Sequence, residues 1–76
     1  MMNVPETEAG VGVMVNGEPR RVPAGLNVEG LLAFLSIDPE RVAIELTREI
    51  VRRPAWVRTP IEDGAELEIV MFVGGG

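Results

Sequence analysis

The sequence predicts a small α+β domain in which a mixed sheet of four to five strands carries one main helix on one face. Three observations predict it: a hairpin near the start, a single helical stripe, and a strand-like run near the end. A chain of 76 residues makes one domain with a thin core, because such chains bury only about 60% of their unfolded surface.

The hairpin is predicted from two alternating segments, residues 11–15 and 18–22, joined by Asn16-Gly17. Asn-Gly supplies the positive φ angles of a type I′ turn, which is the strongest short-range hairpin signal. We therefore expect two antiparallel strands here. Residues 1–10 show little periodicity and are predicted to be a flexible N-terminal extension.

One helix is predicted to follow the hairpin. Asn27 is suited to the N-cap, because its side chain can accept a hydrogen bond from an unpaired amide of the first turn. The helix core is predicted from an apolar stripe at positions i, i+3, i+4 and i+7, formed by Val28, Leu31, Leu32 and Leu35. A single turn capped by Asp38 comes next.

Three further strands complete the prediction. Residues 42–46 and 49–52 form the third and fourth strands, and Thr47-Arg48 between them predicts a distorted or bulged turn, since neither residue favours positive φ. A short helical turn then places Trp56 at the edge of the core.

The final strand alternates, with one set of apolar residues predicted to face the helix: Leu67, Ile69, Met71 and Val73. A hairpin, a crossing helix and a last strand beside the first suggest a β-grasp. The domain is predicted to span residues 11–73.

The composition excludes several functions. The net charge is −5, whereas a nucleic-acid-binding domain needs a basic surface. There is no cysteine and no histidine, so the usual transition-metal ligands and the usual general base are missing. No catalytic residue and no metal site are predicted. No segment has the length of a membrane span and residues 1–10 lack a signal-peptide pattern, so we expect a cytoplasmic location.

The C-terminus carries the strongest functional signal. Gly74, Gly75 and Gly76 have no Cβ atom, so this stretch is predicted to be a flexible tail that can enter a slot too narrow for larger residues. The working group would be the carboxylate of Gly76, and a frayed end is the plain structural alternative.

Other candidate groups are weaker. Val70 and Phe72 are predicted to face the open side of the sheet as a partner-binding patch, or else to be buried in a second small cluster with Met14 or under the loop before Trp56. Glu66 and Glu68 share a strand face like an acid/base pair, although a solvated face explains them better. A basic cluster of Arg52, Arg53 and Arg58 is similarly read as surface charge.

The chain resembles the ThiS family of ubiquitin-like sulfur carriers from about Val11 to Gly76. The resemblance rests on Val15-Asn16-Gly17-Glu18, the helix start at Asn27-Val28, the strands Val42-Ala43-Ile44-Glu45-Leu46 and Glu49-Ile50-Val51, Arg53-Pro54-Ala55-Trp56, Ile61-Glu62-Asp63-Gly64, and the run from Ile69 to Gly76. Two departures are Thr47-Arg48 in place of an Asn-containing turn, and Met71 where the family often has histidine, which points to a structural position.

The resemblance implies a carrier and not an enzyme. A ThiF-type enzyme would use ATP and magnesium to adenylate the Gly76 carboxylate, and the chain itself would bind no cofactor. Sulfur from a cysteine desulfurase would then give a thiocarboxylate, and the thiazole synthase ThiG would use that sulfur for the thiazole of thiamine. Carriers for molybdopterin or tRNA thiolation, and a non-covalent β-grasp interaction module, remain as alternatives.

Overall fold

The computed structural model describes residues 10–72, which form a five-stranded mixed sheet with one α-helix. The elements are β1 (Gly10–Val15), β2 (Glu18–Pro23), α1 (Val28–Phe34), a 3-10 helix (Pro39–Arg41), β3 (Val42–Leu46), β4 (Glu49–Val51), a second 3-10 helix (Arg53–Arg58) and β5 (Glu66–Met71). The strand order is β2-β1-β5-β3-β4. The predicted α+β architecture, with its last strand beside the first, is therefore confirmed.

β5 is the central strand and joins the two hairpins. It runs parallel to β1 and antiparallel to β3, and the ladder with β3 extends from Leu46↔Leu67 to Val42↔Met71. The ladder with β1 is much shorter and covers only Met14↔Glu66 and Val15↔Leu67. One side of β5 is thus paired along its whole length, while the other is paired only at its start.

The core lies between the sheet and α1. Leu31 and Leu32 of the helix are almost completely inaccessible, as are Ile44 and Leu67 of the sheet. Burying each of these side chains contributes about 1.5–3 kcal/mol relative to exposure. The remaining core residues are Val13, Val22, Val28, Val42, Trp56, Ile61, Ala65 and Ile69.

Both ends of α1 are capped. The Asn27 side chain accepts from the Gly30 amide at 2.7 Å, which confirms the predicted N-cap. At the other end, Ser36 has φ 60°, its amide donates to Ala33, and the amide of Ile37 donates to the Leu32 carbonyl. These two bonds form a Schellman motif, in which the left-handed residue is usually glycine.

The turn between β3 and β4 corrects the expectation of a distorted or bulged connection. Its register is continuous, with Leu46 opposite Glu49, so the loop contains only Thr47 and Arg48. Both residues take positive φ, 48° and 73°, which is the backbone form of a regular two-residue hairpin. The flanking strands impose this conformation even though a β-branched residue disfavours it.

Met71 also differs from the prediction that it faces the helix. The buried part of β5 ends at Ile69, and Met71 is 57% exposed. Alternation sets Met71 on the same side as Ile69, but it lies one step beyond the core cluster. Val73, which was predicted to share that face, lies outside the described residues, as do Gly74–Gly76.

The remaining elements follow the sequence closely. Trp56 is buried and its indole nitrogen donates to the Val51 carbonyl at 2.8 Å, so it closes the core edge as predicted. β1 begins at Gly10, one residue earlier than expected. Within residues 10–72, no helix is long and apolar enough to cross a bilayer.

Candidate functional site

The end of β5 positions the segment that leads to the glycines. The last backbone bond described there runs from the Phe72 amide to the Arg41 carbonyl, at 2.8 Å. Arg41 belongs to the first 3-10 helix, which Asp38 caps by accepting from the Glu40 amide. Phe72, the last residue that the structure describes, is therefore fixed from the β3 side. The predicted tail residues Gly74, Gly75 and Gly76 lie outside the described part of the chain.

A side chain secures the same strand from the β1 side. The Oδ1 atom of Asn16 accepts from the Ile69 amide at 2.7 Å, and its Nδ2 atom donates to the Ile69 carbonyl at 3.2 Å. Sequence reasoning identified Asn16 only as a turn residue. No local signal could have revealed this role, because the two residues are 53 positions apart.

An apolar patch covers the open face of the sheet near the end of β5. Val70 is 55% exposed and Phe72 57%, so the predicted alternative of burial in a second cluster is wrong for both. Ala43 lies opposite Val70 in the ladder, and Ile50 of β4 shares a shallow depression with them. We call Ala43, Ile50, Val70 and Phe72 the open-face patch.

Ile50 is the member that sequence reasoning missed. It is the most exposed large apolar residue in the described chain, at 77%. Its place between Glu49 and Val51 in a short strand was visible in the sequence, but the face it occupies depends on the register with Glu45. The patch therefore draws on three strands, β3, β4 and β5.

Carboxylates adjoin the open-face patch. Glu45 and Glu68 are directly opposite in the β3–β5 ladder, an arrangement in which like charges disfavour pairing. Together with Glu66 and Arg48 they line a cleft beside Val70. Among residues 10–72, no group of three or more acidic side chains has the geometry to hold a metal ion. Glu66 and Glu68 are exposed, as the solvated interpretation predicts.

The predicted basic cluster is partly engaged within the fold. Arg53 forms an ion pair with Glu40 at 3.0 Å and lies over the Trp56 ring, 5.6 Å from its centroid. The hydrogen bond to Glu40, followed by its charge, raises the pKa of Arg53 above the usual value. The guanidinium is exposed, so its structural contribution is that of a surface pair.

A separate depression lies along β1 and β2. It has a volume of about 540 Å³ and its lining includes Met14, Pro19 and Gly64. It contains neither Val70 nor Phe72, and its lining is mainly apolar. No predicted site residue contributes to it.

Comparison with known proteins identifies the family. The ThiS family matches residues 13–76. The crystal structure of the thiamine biosynthesis protein ThiS from Geobacter metallireducens superposes with a TM-score of 0.76 and 38% identity, covering 87% of this chain and all of that one. An NMR structure of a thiamine biosynthesis protein from the same organism gives a TM-score of 0.72 at 36% identity.

Two longer proteins also match. A thiazole synthase of Paramagnetospirillum magneticum is 42% identical over 64 residues, or 84% of this chain, and one of Magnetococcus marinus is 38% identical over the same length. The chain spans about a fifth of the length of these relatives, 20% in both cases. The family match, the β-grasp sheet and the structural neighbour that this chain covers in full agree, and the chain belongs to the ThiS family.

Proposed function

We propose that this chain carries sulfur for thiamine biosynthesis as a thiocarboxylate on Gly76. The observation that supports this most directly is the family match, which runs through Gly76 and so includes the whole glycine sequence. The chain contributes the group that is modified, and its partners contribute the catalysis.

The chemistry requires activation, because a carboxylate is a poor acceptor until one oxygen becomes part of a good leaving group. A ThiF-type enzyme, with ATP and magnesium, joins the Gly76 carboxylate to AMP and releases pyrophosphate. The outer sulfur of a cysteine-desulfurase persulfide then displaces AMP to give an acyl disulfide. A dithiol reductant cleaves its S–S bond, which releases the thiocarboxylate and the desulfurase cysteine thiol while the dithiol is oxidised to a disulfide. The resulting thiocarboxylate passes its sulfur to a thiazole synthase.

The thiazole synthase matches support that last partner. A segment like this chain makes up about a fifth of each of those two proteins. In those organisms, carrier-like sequence and the rest of a thiazole synthase belong to one polypeptide. Such a covalent link supports a direct association between this chain and an enzyme of the same kind.

The open-face patch is the surface we propose for docking. Val70 and Phe72 lie four and two positions before Gly74, on a face that no other element covers within residues 10–72. Exposed apolar patches bordered by charge are typical of protein interfaces. A partner that binds here would receive the following residues close to its own site.

Intact-mass spectrometry tests the chemistry. The chain is incubated with a ThiF-type enzyme, ATP, magnesium, a cysteine desulfurase, cysteine and a dithiol reductant, and we expect a gain of about 16 Da as sulfur replaces one oxygen. Adding thiazole synthase with its substrates should restore the original mass. The matched control is the chain without Gly76, which should not change.

The alternatives give different results in the same assay. An unchanged mass with several cognate activating enzymes would favour the non-covalent module. A thiocarboxylate that forms but is consumed only by molybdopterin synthase or a tRNA-thiolating enzyme would assign the carrier to another pathway.

A further inference from the structure

β1 ends before β5 does, so the edge of β5 that faces β1 is unpaired at Met71. We call this unpaired edge the open lane. The last backbone bond from β1 to β5 runs from the Asn16 amide to the Leu67 carbonyl, at 2.8 Å. The Asn16 side chain then forms hydrogen bonds with the backbone N–H and C=O of Ile69, two residues further along β5. At Gly17 the chain turns back into β2, so Met71 is the first residue of β5 with no part of the hairpin beside it.

The direction of the backbone groups follows from the ladder. The Thr47 amide donates to Glu66 and the Phe72 amide donates to Arg41, so even-numbered residues of β5 bond towards β3. Odd-numbered residues must bond in the opposite direction, as Leu67 does towards Asn16. The N–H and C=O of Met71 therefore point into the open lane. Within residues 10–72, no hydrogen bond from the hairpin reaches them.

Among residues 10–72 nothing covers Met71 closely, since its side chain is 57% exposed. The outer edge of β2 differs: the Val15↔Glu18 pair closes its hairpin, so Pro19 and Pro23 occupy outward positions. Proline has no N–H, and prolines on an edge strand prevent pairing with other chains.

We propose that the enzyme receiving the glycine sequence inserts an extended segment into this lane and pairs with the backbone of Met71. The proposal rests on the sulfur-carrier function above. The occupant is a β-strand, because only an extended peptide presents a donor and an acceptor at the spacing that Met71 requires. A strand held here lies beside Met71, the last residue of β5.

This pairing adds something that the open-face patch does not supply. The patch contacts side chains on one face of the sheet, whereas the lane offers backbone groups in the plane of the sheet. Binding through the lane would therefore fix the direction of the β5 backbone at Met71 relative to the partner.

Two variants separate the backbone from the side chain. Met71→Ala removes the side chain and keeps the N–H, while Met71→Pro also removes the outward N–H without affecting a bond to β3. We expect Met71→Pro to bind the ThiF-type enzyme or the thiazole synthase about tenfold more weakly than Met71→Ala, as the loss of one hydrogen bond implies. Calorimetry with each enzyme provides the affinities. Equal binding by the two variants would overturn the proposal.

Hydrogen exchange of the unaltered chain removes any dependence on how the proline variant folds. In the complex, the Met71 amide should become protected, while the Phe72 amide, already bonded to Arg41, should change little. If the Met71 amide stays unprotected in a saturated complex, the partner does not pair with the Met71 backbone, and the proposed carrier function is unaffected by that result. Failure of both enzymes to bind the unaltered chain contradicts the proposed function itself. Protection that rises with the concentration of the chain alone would make a second copy the occupant, and would overturn the proposal as stated.

Discussion

The side-chain amide of Asn16 bonds both backbone groups of Ile69 and so acts as one more residue of β1. Its oxygen accepts from the Ile69 N–H at 2.7 Å and its nitrogen donates to the Ile69 C=O at 3.2 Å. The same residue supplies the positive φ, 51°, that begins the hairpin turn. One asparagine thus closes the first hairpin and extends the sheet along the strand that leads to the glycines.

Asn16→Gly should lower the free energy of unfolding by about 1–3 kcal/mol, because it leaves both partly buried groups of Ile69 without these bonds. Glycine tolerates positive φ at least as well as asparagine, so the turn itself is not strained by the change. Urea unfolding measures the loss. Asn16→Asp is the control for the acceptor alone and should also be destabilising, since it cannot donate to the Ile69 carbonyl. A glycine variant as stable as the parent would show that the two bonds contribute nothing.

Thr47→Asn should raise stability by about 0.5–1 kcal/mol, because asparagine occupies positive φ more readily than a β-branched residue. Thr47 has φ 48° in the first position of the β3–β4 turn. Thermal and urea midpoints should both rise. Thr47→Val keeps the branch and should give no gain; a valine variant that matches the asparagine variant would contradict the argument from φ.

Ser36→Gly should also stabilise the fold, by about 0.4–1 kcal/mol, since Ser36 is the left-handed residue of the Schellman motif after α1. The opposite result is expected for Ala33→Gly at the exposed penultimate position of α1, which should cost up to about 1 kcal/mol. Comparing the two variants tests whether the change in stability depends on where the glycine is placed. If both glycines destabilise, the strain attributed to Ser36 is absent.

Phe72→Ala should weaken binding to the activating enzyme or the thiazole synthase at least about tenfold, while the free energy of unfolding changes by less than about 1 kcal/mol. The reason is that Phe72 is more than half exposed and belongs to the open-face patch. Phe34→Ala provides a matched control, because Phe34 is exposed on α1, away from that patch. Titration calorimetry and urea unfolding are measured on both variants. Equal effects on binding would remove the patch from the interface.

Deletion of Gly76 should abolish thiocarboxylate formation and leave the thermal midpoint almost unchanged. The described core ends before the glycines, at Ile69 of β5. Intact mass and a thermal scan of the same sample measure both effects. A midpoint that falls by several degrees would show that the C-terminal residue contributes to packing.

Local chemistry in the sequence determined most of the elements. The two-residue Asn-Gly turn, the Asn27 cap and the apolar stripe of α1 each depend on neighbours within a few positions, and all three are present as predicted. The alternation of β5 also identified Val70 and Phe72 as residues of the open face. These signals were readable because the physical cause and its effect lie in the same short segment.

Tertiary structure decided the rest. The strands around Thr47 and Arg48 impose positive φ on two residues that disfavour it, and the extent of the core determines that Met71 is exposed while Ile69 is buried. The pairing of Asn16 with Ile69 and the open lane beside Met71 both depend on where β1 ends relative to β5. That relation joins residues more than fifty positions apart, and only packing of the complete sheet can set it.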